Sequence, residues 1–140
     1  MSNQTITVST SVHAPVSKAW EVWNKPEHIV KWAFASDQWE APAAENDLKV
    51  GGRFKTTMAA KDKSASFDLT GEYTAVKENE LIEYTMDGDD KRKVSTTFTQ
   101  NGDMTDISET FDMENENNED MQRAGWQAIL DNYKKYVESF

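Results

Sequence analysis

One carboxylate in this chain stands in a phase normally reserved for apolar side chains. Glu109 alternates in step with Ile107, Phe111 and Met113, so a strand through these residues aims its carboxyl inward. An acid in apolar surroundings needs a hydrogen-bond partner, and desolvation raises its pKa. Such a group can anchor a ligand or act as a general acid–base. Two plainer readings stand beside this one: a bulge or sheet edge lets the carboxyl reach water, or a Tyr or Arg satisfies it. Glu109 is the single candidate for catalysis, and no acid–base partner is recognisable for it.

The remaining chemistry-bearing residues point to little else. There is no Cys, which excludes disulfides, zinc–thiolate sites and thiol catalysis. His13 and His28 lack metal-ligand spacing and read as surface or capping residues. Asp87, Asp89 and Asp90 suggest calcium, but Gly88 falls second and no Glu closes a twelve-residue loop, so a solvated hairpin tip is expected. Gly51-Gly52 precedes a strand pattern and reads as a turn, not a phosphate cradle. No Ser-His-Asp pattern is recognisable, and neither a metal nor a cofactor is expected. A net charge of −10 argues against nucleic acid and anionic membranes as partners. With no apolar run near the length of a span and no signal-like start, the expectation is a soluble, cytoplasmic, single domain over 1–140.

These residues must be positioned by an ordered set of elements. Residues 5–12 alternate, with Ile6, Val8 and Val12 on one face. Pro15 suits the first position of a helix carrying Val16, Ala19, Trp20 and Trp23, and Pro26 re-aims the chain into a second short helix ending near Trp32. A weak strand over 36–41 is followed by a loop over 42–48. A meander comes next. Its inward sets are Phe54, Thr56, Met58 and Ala60; Phe67, Leu69, Gly71, Tyr73 and Ala75; Ile82, Tyr84 and Met86; Val94, Thr96 and Phe98; then Ile107, Phe111 and Met113. Short turns such as Asn101-Gly102 separate them. After a polar linker over 114–118, Asn117 or Asn118 caps a helix over 118–137 with an apolar stripe of Trp126, Ile129, Leu130, Tyr133 and Val137. At roughly 30 Å this helix can cross a curved sheet. The fold class is α+β, a curved antiparallel sheet wrapped around a long C-terminal helix, with two short helices after the first strand.

Three segments in order carry a family resemblance. VHAPVSKAWEVWNKPEHIVKW (12–32), VGGRF (50–54) and GWQAIL (125–130) resemble the START-like, or SRPBCC, superfamily, and within it the family named for the activator of heat-shock protein 90 ATPase. Many relatives carry paired Trp residues after the second helix; here Trp32 is followed by Ala33-Phe34. The resemblance implies a helix-grip fold with an apolar pocket between sheet and last helix. It implies binding of a small hydrophobic or aromatic molecule, such as a lipid, a polyketide or a flavonoid-like compound. A cyclase, aromatase or hydrolase using the same pocket is the first alternative, and a chaperone-associated interaction module the second. The polar outer faces (Lys55, Thr57, Asp68, Glu72, Glu83) argue against the latter. The ligand-binding residues expected from the inward faces and the helix stripe are Trp39, Phe54, Met58, Phe67, Tyr73, Tyr84, Met86, Phe98, Glu109, Trp126 and Leu130. Taken one at a time, the aromatic and Met residues among them read first as plain core, ahead of pocket wall.

Overall fold

A computed structural model of the chain describes residues 5–34, 36–87, 91–113 and 118–139. Alternating β-branched and polar residues build β1 (Thr5–Val12), whose Ile6, Val8 and Val12 are buried. Two short helices follow, α1 (Val16–Asn24) and α2 (Pro26–Trp32). Pro15 is the N-cap of α1, one position earlier than expected, whereas Pro26 opens α2. The meander comprises β2 (Trp39–Asn46), β3 (Arg53–Ala60), β4 (Ser66–Lys77), β5 (Leu81–Met86), β6 (Lys93–Asn101) and β7 (Met104–Asp112). All pair antiparallel in one sheet ordered β1-β7-β6-β5-β4-β3-β2, which curls into a half-barrel. The last element is α3 (Glu119–Val137), capped by the Asn118 side chain, which accepts the Met121 N–H at 2.8 Å. Asn117 and the linker over 114–117, with Gly88, Asp89 and Asp90 of the expected hairpin tip, lie outside the described residues.

Two register shifts revise the alternation. Tyr73 lies opposite Tyr84, but Ala75 lies opposite Glu83, so Thr74 is an extra residue in β4. The bulge moves Ala75 off the expected inner set and puts Val76, opposite Ile82, against the core. The second shift falls between Glu40 and Ala43, where β2 pairs with β3. Residues 42–46 are therefore strand and not loop. Pro42 has no N–H to give a ladder, and an edge strand at a bulge is where that is tolerated.

Curling also depends on one small residue. Gly71 sits under the Phe54 ring, and a Cβ there would come within 2.8 Å of Phe54 Cε1 and 2.7 Å of the Thr85 carbonyl oxygen. The ring takes the space that a side chain would need.

Helix α3 does two jobs. Its Leu130, Tyr133 and Val137 are fully or nearly fully buried, each worth about 1.5–3 kcal/mol if taken as large apolar groups. Its polar flank protects the edge of β1. Arg123, Gln127 and Lys134 donate to the backbone carbonyls of Thr7, Ser9 and Ser11 at 3.2, 3.1 and 2.6 Å. Alternate carbonyls of an otherwise unpaired strand edge are thereby satisfied.

Candidate functional site

The curl leaves the middle of the concave face uncovered by core. Helices α1 and α2 plug one end of the half-barrel with a ring cluster: Trp23 packs edge-on against Tyr133 and Phe98, with centroids at 4.9 and 5.6 Å. Trp32 packs on Tyr133 at 5.0 Å, and its indole N–H donates to the Val22 carbonyl at 3.0 Å. Beside this plug lies a cavity of about 330 Å³. Phe54, Met58, Phe67, Tyr73, Tyr84, Met86, Glu109 and Trp126, all expected from the alternation or the helix stripe, line it.

The other expected positions fall elsewhere. Trp39 lines an outer depression of about 320 Å³ that shares Met58, Phe67, Arg92, Trp126 and Ile129 with the cavity and forms its mouth. Phe67 and Met121 are exposed at this mouth. Phe98 and Leu130 lie in the buried core, outside the cavity lining. Phe98 is covered by Trp20 and Trp23 at the plugged end, and Leu130 is 1% exposed. Alternation gives the face of a strand, not the depth along it.

Sequence reasoning missed several lining residues. Trp23, Ile29 and Trp32 come from the short helices, and their apolar phase was the available signal. Asn46 and Glu45 were hidden by reading β2 as a loop. Asn46 belongs to a polar chain at one wall. The Tyr73 hydroxyl donates to Asn46 Oδ1 at 2.5 Å, Asn46 Nδ2 donates to the Asn24 carbonyl at 2.7 Å, and Asn24 Nδ2 donates to the Trp20 carbonyl at 2.9 Å. Arg92, just before β6, carried no pattern that marked it as lining.

Glu109 occupies the centre of the inner face. Ile82, Thr96, Glu109 and Val8 align as one row across β5, β6, β7 and β1. Strand β7 is internal and its pairings with β1 and β6 are unshifted, so neither an edge nor a bulge releases the carboxyl to water. The residue is 6% exposed. Among the described residues its hydrogen-bond donor is the Thr96 hydroxyl, at 3.3 Å. Burial pushes the carboxyl up to about 7, and the Thr96 contact offsets only part of that. Tyr84 is half-buried, but its hydroxyl end is enclosed. Burial pushes that hydroxyl well above the usual range, and charge on Glu109 pushes it further. The cavity thus offers ring-rich walls and one carboxyl that changes ionisation near neutral pH. Among the described residues no group of three His, Cys, Asp or Glu is placed to hold a metal ion.

His13 and His28 stand apart from this site. The His13 backbone N–H donates to Glu138 Oε2 at 2.8 Å, and His28 Nδ1 lies 2.7 Å from the Tyr136 hydroxyl. Among the described residues no helix is long and apolar enough to cross a membrane.

Comparison with known proteins agrees with this architecture. The family model described as Activator of Hsp90 ATPase homolog 1-like protein matches residues 13–138. The solution structure of an AHSA1-like protein from Aeromonas hydrophila is 40% identical, with a TM-score of 0.90 over 97% of this chain and 93% of that one. A protein from Cytophaga hutchinsonii is 54% identical, with a TM-score of 0.82 over 96% of this chain and 92% of that one. A Chromobacterium violaceum protein shares the fold at 22% identity, with a TM-score of 0.87 over 96% and 98% of the two chains. No curated protein matches the sequence.

Proposed function

Since the chain belongs to the Activator of Hsp90 ATPase homolog 1-like family, we infer that it binds a small hydrophobic or aromatic molecule in the cavity between the sheet and α3. The observation that supports this best is the cavity itself. It holds about 330 Å³ beneath an open mouth, with Trp, Phe, Tyr and Met walls and the buried Glu109 carboxyl on its floor. Ligand sites share this pattern: mostly apolar walls, a few placed polar groups, and volumes from about 300 Å³ upward. The small volume suits a compact ring system, such as a flavonoid-like or polyketide molecule, better than a long-chain lipid.

Catalysis in the same pocket is the alternative. It needs a second acid or base within hydrogen-bond reach of the reacting atoms, and Glu109 has only the Thr96 hydroxyl as its described partner. A chaperone-associated role gains no support from the outer sheet face. There Thr57 donates to Asp68 at 2.8 Å and Lys55 pairs with the same carboxylate at 3.7 Å, a solvated polar surface.

Titration with the uncharged fluorophore N-phenylnaphthylamine tests this function in the wild type and in Thr56→Phe, which adds bulk to a cavity wall. Emission should rise on binding to the wild type and fail to rise in the variant, with unchanged circular dichroism. Equal binding by both would place the dye on the surface and overturn the reading.

A further inference from the structure

The geometry points to a lipophilic amine as the ligand class, with a ring body against the Trp walls and a protonated nitrogen donating to the Glu109 carboxylate. This inference rests on the cavity being a ligand site.

Glu109 is more than nine-tenths buried, lines the cavity, and receives one long contact from Thr96. An ionised carboxylate offers about four lone-pair sites, so most of its hydrogen-bonding capacity is open to a ligand. With no counter-ion for it among the described residues, its buried charge is expensive. A protonated amine supplies both the missing charge and up to three donors. The rings around it add a second attraction, since the faces of Trp, Tyr and Phe carry negative potential toward a desolvated cation.

The other groups facing Glu109 fit this assignment. Along its own row, β5, β6 and β1 present Ile82, Thr96 and Val8, none of them charged. From α1, α2 and α3 the cavity receives Trp23, Asn24, Ile29, Trp32, Trp126 and Ile129, again without charge. The titratable neighbours are Tyr84 and Tyr73, with Glu45 from β2 and Arg92 toward the mouth. Arg92 acts on the Tyr84 hydroxyl, whereas the Glu109 carboxyl feels only its burial and Thr96. Among the described residues no ion pair is found between this guanidinium and Glu109. An anionic ligand on the cavity floor would meet the Glu109 carboxyl, with Arg92 lying toward the mouth, while a neutral one would leave the carboxyl protonated. The net charge of −10 also favours the approach of cations.

Three probes of one shape separate the cases: naphthylmethylamine, naphthalenemethanol and naphthoic acid, titrated calorimetrically into the wild type and Glu109→Gln. The amine should bind the wild type about tenfold more tightly than the alcohol, the gain expected of a charge-assisted over a neutral hydrogen bond. In Glu109→Gln that preference should vanish. Amine binding at about pH 6, read in two buffers of different ionisation enthalpy, should release nearly one proton from the wild type as the carboxyl ionises. This last readout needs no variant. Alcohol or acid binding as tightly as the amine would overturn the amine assignment alone. So would an amine preference that survives in Glu109→Gln, or binding without proton release. If none of the three binds a folded protein, the ligand-site reading falls, and the amine falls with it.

Discussion

Burial of Glu109 makes the stability of the protein depend on pH in a specific direction. Its carboxyl rises from 4.5 to about 7 on folding. The folded chain therefore holds this proton more tightly than the unfolded chain. Well below 4.5 both states are protonated and the residue adds no pH-dependent cost. As pH rises past 4.5 the unfolded chain ionises first, and the cost accumulates until the folded carboxyl also ionises near 7. A shift of this size corresponds to about 3 kcal/mol over the whole window, and to about 2 kcal/mol between about pH 5 and about pH 8. In Glu109→Gln the term is absent. Urea unfolding of both proteins at the two pH values measures it as a difference of differences. Other carboxylates titrate in the opposite sense; Glu138, for example, is held low mainly by the His13 backbone N–H. Such groups are common to both proteins and cancel. The wild type should lose about 2 kcal/mol relative to the variant on going from the lower to the higher pH. A difference that stays flat would mean that Glu109 is solvated or fully paired, and would refute the reasoning.

Three further outcomes follow from the packing. Gly71→Val should cost about 1–3 kcal/mol, because its Cβ meets the immobile Thr85 carbonyl at 2.7 Å; thermal unfolding reads the loss. Asn118→Ala removes the side-chain cap of α3 and should cost about 1 kcal/mol in chemical unfolding. Leu130→Ala should cost about 2–5 kcal/mol yet leave dye affinity unchanged under folding conditions, since Leu130 is core and does not line the cavity.

Much of this molecule was legible from its residues, and the gaps have physical causes. Strand alternation placed Tyr73, Tyr84, Met86 and Glu109 on the inner face because one buried face enforces a period of two. The bulge at Thr74 broke that period, and nothing in Tyr73-Thr74-Ala75 announces an extra residue. Strand β2 was half missed because Pro42, Glu45 and Asn46 are poor strand formers, yet an edge position tolerates all three. That error hid Asn46, although its amide joins β2, α1 and Tyr73. Phe98 and Leu130 share their faces with lining residues but lie in the core, a depth that depends on how α1 and α2 fill the end of the half-barrel. Residue periodicity and the family resemblance gave the same architecture, and the packing of α1 and α2 decided which inner-face residues line the cavity.

The five Trp residues offer the most direct test of the ligand-binding claim. In an amide and indole NMR titration with naphthylmethylamine or another compact aromatic ligand, the indole signals of Trp23, Trp32 and Trp126 should move, because all three line the cavity. Trp20, packed on Phe98 outside the cavity lining, should stay nearly fixed. Amides of Tyr73, Tyr84 and Glu109 should move with the first group. Shifts confined to Trp39 and the exposed mouth, or no shifts in a well-dispersed spectrum across such ligands, would contradict the account.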